Sequence, residues 1–295
     1  MLKPEKQDQH KIPQVYLKQF GYLQGTQWKV SVLSRGENFT RQKSIKSFTA
    51  ETNIFDITHH NSIVIRLFES LNCALETEYN QIISELESGE AISFKSHAIL
   101  VQLVPNFICR SDYWRDYIRG FLQHKNKPYF IRDILAHHTQ SYEEYLQLDK
   151  TDLYYSLVYS NVTESLVNEV LLFFTDFIFH RTQHYDVVIL ESPDCREWFT
   201  SDNPVLLKNE WVGMEMFGIN SEIYLPLSPK YLAYFHFKQA TNNSNPLRKL
   251  YPRKIYPVLN VLNDEEFINL VKEINSSMHN FLICPTYLSY RAESN

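Results

Sequence analysis

The chain has 295 residues, 44% hydrophobic and 21% charged, a balance typical of folded globular proteins that excludes a largely disordered chain. Its formal charge of −5 and isoelectric point near 6.1 provide no global basic field for polynucleotide phosphates, so nucleic-acid binding is left to a local patch. No run reaches the ~18 apolar residues that a bilayer crossing needs, and the polar opening Met1–His10 lacks a secretory pattern, so no membrane association and a cytoplasmic address are expected.

In chain order, Ile12, Val15, Tyr16, Leu17 and Phe20 recur at helical spacing, with Pro13 tolerated in a first turn. Residues 28–33 alternate as a strand, Gly36-Glu37-Asn38 reads as a turn, and 39–48 as the returning strand of a hairpin. Residues 53–57 read as a brief extended piece. From Ser62 the period becomes 3.6, through Ile65, Phe68, Leu71, Leu75, Tyr79, Ile82 and Leu86, and stops near Gly89. A second helix is expected from Ser93 to Leu103, with Pro105 kinking or ending it before 106–121 resumes. A third runs from Thr163, which shares the cap role with Asn161, to about His180.

Strand patterns follow at 185–190, 198–200, 205–207, 223–227 and 231–237, separated by loops rich in Pro, Asn and Ser. Asp264 is read as the cap of an amphipathic helix extending to about Asn280, and 281–284 as a closing strand. Strands bracketing helices define an α+β class, a sheet built from N- and C-terminal strands with a central helical region packed on it. One domain over 1–295, with 62–180 as a mainly helical insertion, is the expected organisation.

The composition adds two readings. The 19 Tyr, 19 Phe and 4 Trp either line a cleft for sugars or bases, or form a core in which each buried hydroxyl is bonded locally. Cys73, Cys109, Cys195 and Cys284 show no metal-ligand or disulfide spacing, so reduced, mostly buried thiols are expected. The basic runs 41–46 and 248–254 read as solvated faces or strand edges.

The opening His10-Lys-Ile-Pro13-Gln-Val-Tyr16-Leu17-Lys-Gln-Phe20 resembles the signature H-x-x-P-x-x-Y-L-x-x-F of a bacterial family of unknown function, DUF 4238. Asn53 and Phe55 match that family's N-F-Y-like segment, residues 199–205 (Phe-Thr-Ser-Asp-Asn-Pro-Val) its T-S-D-N-P-V, and residues 226–229 its P-L-S-P. Val261-Leu262-Asn263 before a helix is similar to its closing element. The family often has Arg-Thr-Pro after its central helix, whereas here Arg110 is followed by Ser111-Asp112. The resemblance covers nearly the whole chain and implies a bacterial protein; it carries no activity.

Several side chains are candidates for chemistry. His10, Gln14 and Lys18, spaced i, i+4 and i+8, lie along one helical face and can look into the same cleft, a trio that suits an anionic ligand; capping by His10 and exposure of Lys18 is the alternative. The turn Ser201-Asp202-Asn203-Pro204 ends a short strand, a position from which Asp202 can act as general base or hard-metal ligand while Asn203 orients a substrate. Ordinary turn chemistry is the alternative there. Glu51, Glu76 and Glu78 are further carboxylates, the last two on the long helix, and a divalent metal could be held by His10, a helical Glu and Asp202. His59-His60 and His137-His138 are read as exposed loop pairs that point apart.

Phosphate-loop, dinucleotide and nucleophile-elbow motifs are absent, so no nucleotide cofactor is expected. Two functions remain. In one, a hydrolase acts on a phosphate-containing or nucleic-acid-derived substrate, with His10 and Asp202 catalytic and Gln14, Lys18, Asn53, Arg110, Ser201 and Asn203 binding. In the other, a non-catalytic binding or regulatory module with a protein partner, an accessory in bacterial stress or phage defence, uses the same residues as fold staples.

Overall fold

The computed structural model describes residues 6–59, 61–89, 92–208, 211–212, 215–218, 221–237, 258–259 and 262–285. The chain enters as strand β1 (Asp8–His10), followed by the short helix α1 (Gln14–Gln19). His10 therefore lies in a strand ahead of the helix, and the helical face expected to carry His10, Gln14 and Lys18 does not exist as such. Strands β2 (Tyr22–Gln24) and β3 (Gln27–Ser34) form a hairpin. Its tight turn uses Gly25 at φ 64°, a conformation that favours glycine. The expected partner of β3 is β4 (Arg41–Ser44), and β5 (Ala50–Thr52) returns to pair with β1. Residues 53–55 form a turn, not the expected extended piece. Asn53 sits there at φ 56°, and its backbone N–H and side-chain oxygen both bond Gln7.

The middle of the chain is helical: α2 (Ser62–Ile65), α3 (Leu67–Glu87), α4 (Phe94–Arg110), α5 (Asp112–Gln123), α6 (Lys127–Ala136), α7 (Tyr142–Gln147), α8 (Asp152–Tyr159) and α9 (Glu164–Thr182). Pro105 lies inside α4 and does not end it. The missing N–H costs one hydrogen bond, but the surrounding turns are buried against α3 and α9, and packing overrides the local preference. The break comes instead at Ser111, whose hydroxyl accepts the Trp114 N–H as the N-cap of α5. Asp112 in the first turn complements the positive end of the helix dipole. Ser-Asp can thus start a helix as Thr-Pro does, with an N-cap hydroxyl followed by a favoured first residue.

Strands β6 (Tyr185–Glu191), β7 (Thr200–Ser201), β8 (Leu206–Lys208), β9 (Trp211–Val212), β10 (Glu215–Met216), β11 (Glu222–Pro226), β12 (Tyr231–Phe237) and β13 (Val258–Leu259) follow. Helix α10 (Asp264–Ser276) and strand β14 (Phe281–Cys284) come last. The N-cap of α10 is Asn263, one residue before the expected Asp264, in a reciprocal capping box with Glu266. The expected sheet from both termini is present in the order β2-β3-β14-β7, with β4 on the other edge of β3. A second five-stranded sheet, β13-β6-β12-β11-β8, was not anticipated as separate. The basic run 248–254, His60 and Val261 lie outside the described residues.

Alternation places the second sheet between two apolar layers. Val187, Ile189, Ile223, Leu225, Ala233 and Phe235 join the main buried cluster with the helices, whereas Val188, Leu190, Leu232 and Tyr234 pack with Trp198 and the Phe267, Leu270 and Ile274 face of α10. No helix among the described residues is long and apolar enough to cross a membrane. Of the cysteines, Cys109 and Cys284 are buried, but Cys73 and Cys195 are exposed, contrary to expectation. Burial pushes the Cys109 thiol up to about 12 and the Cys284 thiol to about 11, which leaves little thiolate for nucleophilic chemistry.

Buried tyrosine hydroxyls tie these layers together. Tyr16 on α1 is fully buried among the rings of Phe20, Tyr79 and Phe107, and its hydroxyl meets Thr200 Oγ1 at 2.5 Å and donates to the Pro226 carbonyl at 2.9 Å. Tyr79 on α3 donates to the next carbonyl, Leu227, and Tyr231 returns a bond to Leu86 O at 3.0 Å. Replacing Tyr16 by Phe removes the donor to a buried carbonyl and is expected to lower stability by about 1–3 kcal/mol. Urea unfolding of Tyr16→Phe beside the wild type measures this; an unchanged midpoint would contradict it.

Candidate functional site

The turn Ser201-Asp202-Asn203-Pro204 lies between two clefts. Ser201 Oγ donates to Asn203 O at 2.8 Å and accepts the Asn203 N–H at 3.1 Å, so its hydroxyl closes the turn on itself. The two middle side chains then serve different clefts.

Asp202 lines a cleft of about 300 Å³ with Lys11, Lys43, Thr49, Glu51 and Asp112, floored by the edge-on ring pair Phe48 and Phe281 at 5.6 Å. Its Oδ1 accepts the His279 N–H at 3.0 Å and its Oδ2 the Asn280 N–H at 2.7 Å, which pins the entry into β14. Burial raises the Asp202 carboxyl above its ordinary value, although the backbone N–H groups and His279 pull the other way. Across the cleft, Lys11 pairs with Glu51 and, at 2.7 Å, with Asp112. Burial lowers the Lys11 ammonium, but the two carboxylates outweigh it and hold it above its usual value. This ion triplet joins the end of β1 to β5 and to the start of α5.

Asn203 faces a second cleft of about 260 Å³, with Arg35, Tyr113, Trp114, Met278 and His279 among its walls. The Asn203 Nδ2 donates to Ser277 O at 3.1 Å, which fixes the orientation of the amide. Its Oδ1 is buried and has no hydrogen-bond partner among the described residues. A buried amide oxygen without a donor costs free energy that a ligand N–H or O–H would recover. Tyr113 and Trp114 stand edge to face at 5.5 Å, and the Tyr113 ring is 6.1 Å from that of His279.

The remaining candidates serve as ties. His10 Nε2 donates to Lys46 O at 2.9 Å, and the Gln14 amide nitrogen lies 3.0 Å from the same ring atom. Lys18 is exposed on α1 and lines neither cleft. Arg110 is 1% exposed; its Nε and terminal nitrogen donate to the His10 carbonyl, at 3.1 Å from Nε, and it bonds Glu76 Oε1 at 2.8 Å. Arg115 bonds Asn168 and Glu164, and both guanidinium carbons stand 5.7 Å from the Phe55 ring. Gln9 accepts the Phe55 N–H at 2.7 Å and donates to Asp56. Glu78 pairs with Lys95.

Sequence reasoning missed Arg35, Tyr113, Trp114 and His279. They come from the end of β3, the first turn of α5 and the loop before β14, and no local motif links them. Neither cleft is lined by a group of His, Cys, Asp and Glu atoms at metal-ligand spacing; among the described residues that spacing occurs elsewhere, at α6 and α9.

This is an α+β chain in which the opening motif, the Thr-Ser-Asp-Asn-Pro-Val run and the Pro-Leu-Ser-Pro run meet at the Tyr16 hydroxyl. A family model for the protein family of unknown function DUF4238 matches residues 8–278, and the chain belongs to that family. No curated protein and no solved structure matches it.

The Asp202 environment has a consequence for pH. The folded carboxyl holds its proton above the ordinary value of 3.8, so its contribution to stability is greatest below that value and falls as pH rises through the raised one. Asp202→Asn cannot titrate. The stability of this variant relative to wild type should therefore improve between roughly pH 4 and pH 7. Urea unfolding across that range measures the difference, and a gap that widens against the variant would contradict the assignment.

Proposed function

We propose that this chain is a non-catalytic ligand-binding module whose Asn203 cleft takes a small nucleotide-like molecule, with a planar N–H-bearing ring and a phosphate. The observation that carries this reading is a cleft lined by Asn203, two aromatic rings and two basic side chains, with the buried Asn203 oxygen left without a donor among the described residues. A heterocycle N–H supplies the missing donor, Trp114 and Tyr113 supply apolar and π surface, and Arg35 with His279 offers donors to an anion. A small ligand also suits a chain whose net charge of −5 gives no field for a polynucleotide.

The hydrolase reading has less support. Both carboxylate oxygens of Asp202 accept backbone N–H groups, Arg110 is occupied by His10 and Glu76, and His10 Nε2 is engaged by Lys46. These polar groups act as ties between elements, which is what a binding scaffold requires.

Calorimetric titration of the full chain with the common nucleoside monophosphates tests the proposal. One of them is expected to bind saturably. Arg35→Ala should weaken it by roughly tenfold or more, the loss of one charge-assisted bond, with little change in the ligand-free melting midpoint, because Arg35 is exposed and its side-chain bond to His279 O is long at 3.4 Å. Absence of saturable binding would sink the proposal. Phosphate release that disappears in folded Asp202→Asn would favour the hydrolase instead.

A further inference from the structure

Helix α6 ends at Ala136, and the two histidines after it, His137 and His138, do not point apart as expected of an exposed loop pair. Their rings lie 3.9 Å apart, and both turn toward Asp176 on α9. Asp176 Oδ2 is 2.9 Å from His137 Nε2, 3.4 Å from His138 Nε2 and 3.9 Å from His180 Nε2. Asp176 and His180 are i and i+4 on one helix, so they occupy one face one turn apart. The ligand atoms of His137, Asp176 and His180 all lie within 4.8 Å of one another. A tetrahedral zinc with nitrogen and oxygen bonds of about 2.0–2.1 Å separates its ligand atoms by roughly 3.3–3.4 Å, so the cluster needs only small side-chain rotations to close on an ion.

We infer that His137, Asp176 and His180 form a zinc site that clamps the end of α6 to α9. Two imidazoles and one carboxylate form a borderline nitrogen and oxygen donor set that suits zinc better than calcium or magnesium, which prefer all-oxygen shells. The rings of Phe177 and Phe173 stand 5.9 Å and 6.0 Å from His137 and His138 and give the cluster an apolar flank. His180, with 51% of its side chain exposed, leaves the outer side open for an ion to enter. The site lies on different elements from the two clefts and does not depend on the nucleotide reading.

The test uses the full chain stripped of metal and titrated near neutral pH with Co²⁺, whose visible absorption in a tetrahedral site is distinct from that of the hydrated ion, followed by displacement with Zn²⁺. One equivalent should bind, and Zn²⁺ should raise the melting midpoint by mass action. His180→Ala and Asp176→Asn each change a partly exposed side chain, and unchanged far-ultraviolet circular dichroism establishes their folding. Each should weaken zinc by more than about 100-fold, since loss of an outer-shell partner alone costs about 10–100-fold. His124→Ala, outside the cluster, should retain the affinity. Failure of the wild type to bind Co²⁺ or Zn²⁺ saturably, or full affinity in folded His180→Ala and Asp176→Asn, overturns the inference.

Discussion

Two adjacent carbonyls at the end of β11, those of Pro226 and Leu227, form the junction on which the layers depend. Each accepts a hydroxyl from a buried tyrosine, Tyr16 of α1 and Tyr79 of α3 respectively. A strand end that enters a core leaves carbonyls without ladder partners, and leaving them so costs more than a hydrogen bond in water gains. The phenol solves this while its ring fills core volume. Thr200 Oγ1 donates to the same Tyr16 oxygen, so the first helix, the sheet from both termini and the second sheet meet at one oxygen atom. Other buried tyrosine hydroxyls are also bonded locally: Tyr185 bonds Gly218 O, and Tyr224 and Tyr234 share the carboxylate of Glu222.

A second junction lies at Phe55. Its ring stacks on Phe68 at 5.0 Å and stands between Arg110 and Arg115, whose donors reach the His10 carbonyl, Glu76, Asn168 and Glu164. Buried guanidinium groups are tolerable only when their donors are satisfied and their charge is opposed, and the carboxylates from α3 and α9 do that. The opening and N-x-F motifs are therefore held by the helices in front of which they fold. Motif residues that join elements in this way tell more about assembly than about catalysis.

The turn at the end of β7 shows how two similar side chains acquire different roles. Asp202 accepts two N–H groups from the chain entering β14 and completes the structure there. Asn203 uses its amide nitrogen in the same region but retains a buried oxygen with nothing to accept. The Asp202 carboxylate is matched by backbone donors, whereas the Asn203 amide oxygen is left without one among the described residues. The histidines at the end of α6 and on α9 gather around one carboxylate oxygen, that of Asp176, on another surface.

Periodicity and caps were legible in the amino-acid sequence by itself: the α+β class, the β3 hairpin, the long helices with Ser93 and Thr163 as caps, and the apolar runs of β6 and β12 all rest on local chemistry between residues a few positions apart. The Ser-Asp-Asn-Pro turn could be singled out as well, because Asn-Pro and the Ser hydroxyl act over two or three residues. Pro105, read as kinking or ending its helix, does not end it, because burial on the neighbouring turns against α3 and α9 outweighs the local preference. His10 was placed on a helix because its spacing to Gln14 fits one, but the ladder with β5, 40 residues away at Ala50, holds it in a strand. The second sheet, the cleft around Asn203 and the convergence of His137, Asp176 and His180 were decided only by tertiary structure. Each joins side chains tens to hundreds of residues apart, and a single sequence records their types without recording that packing brings them together.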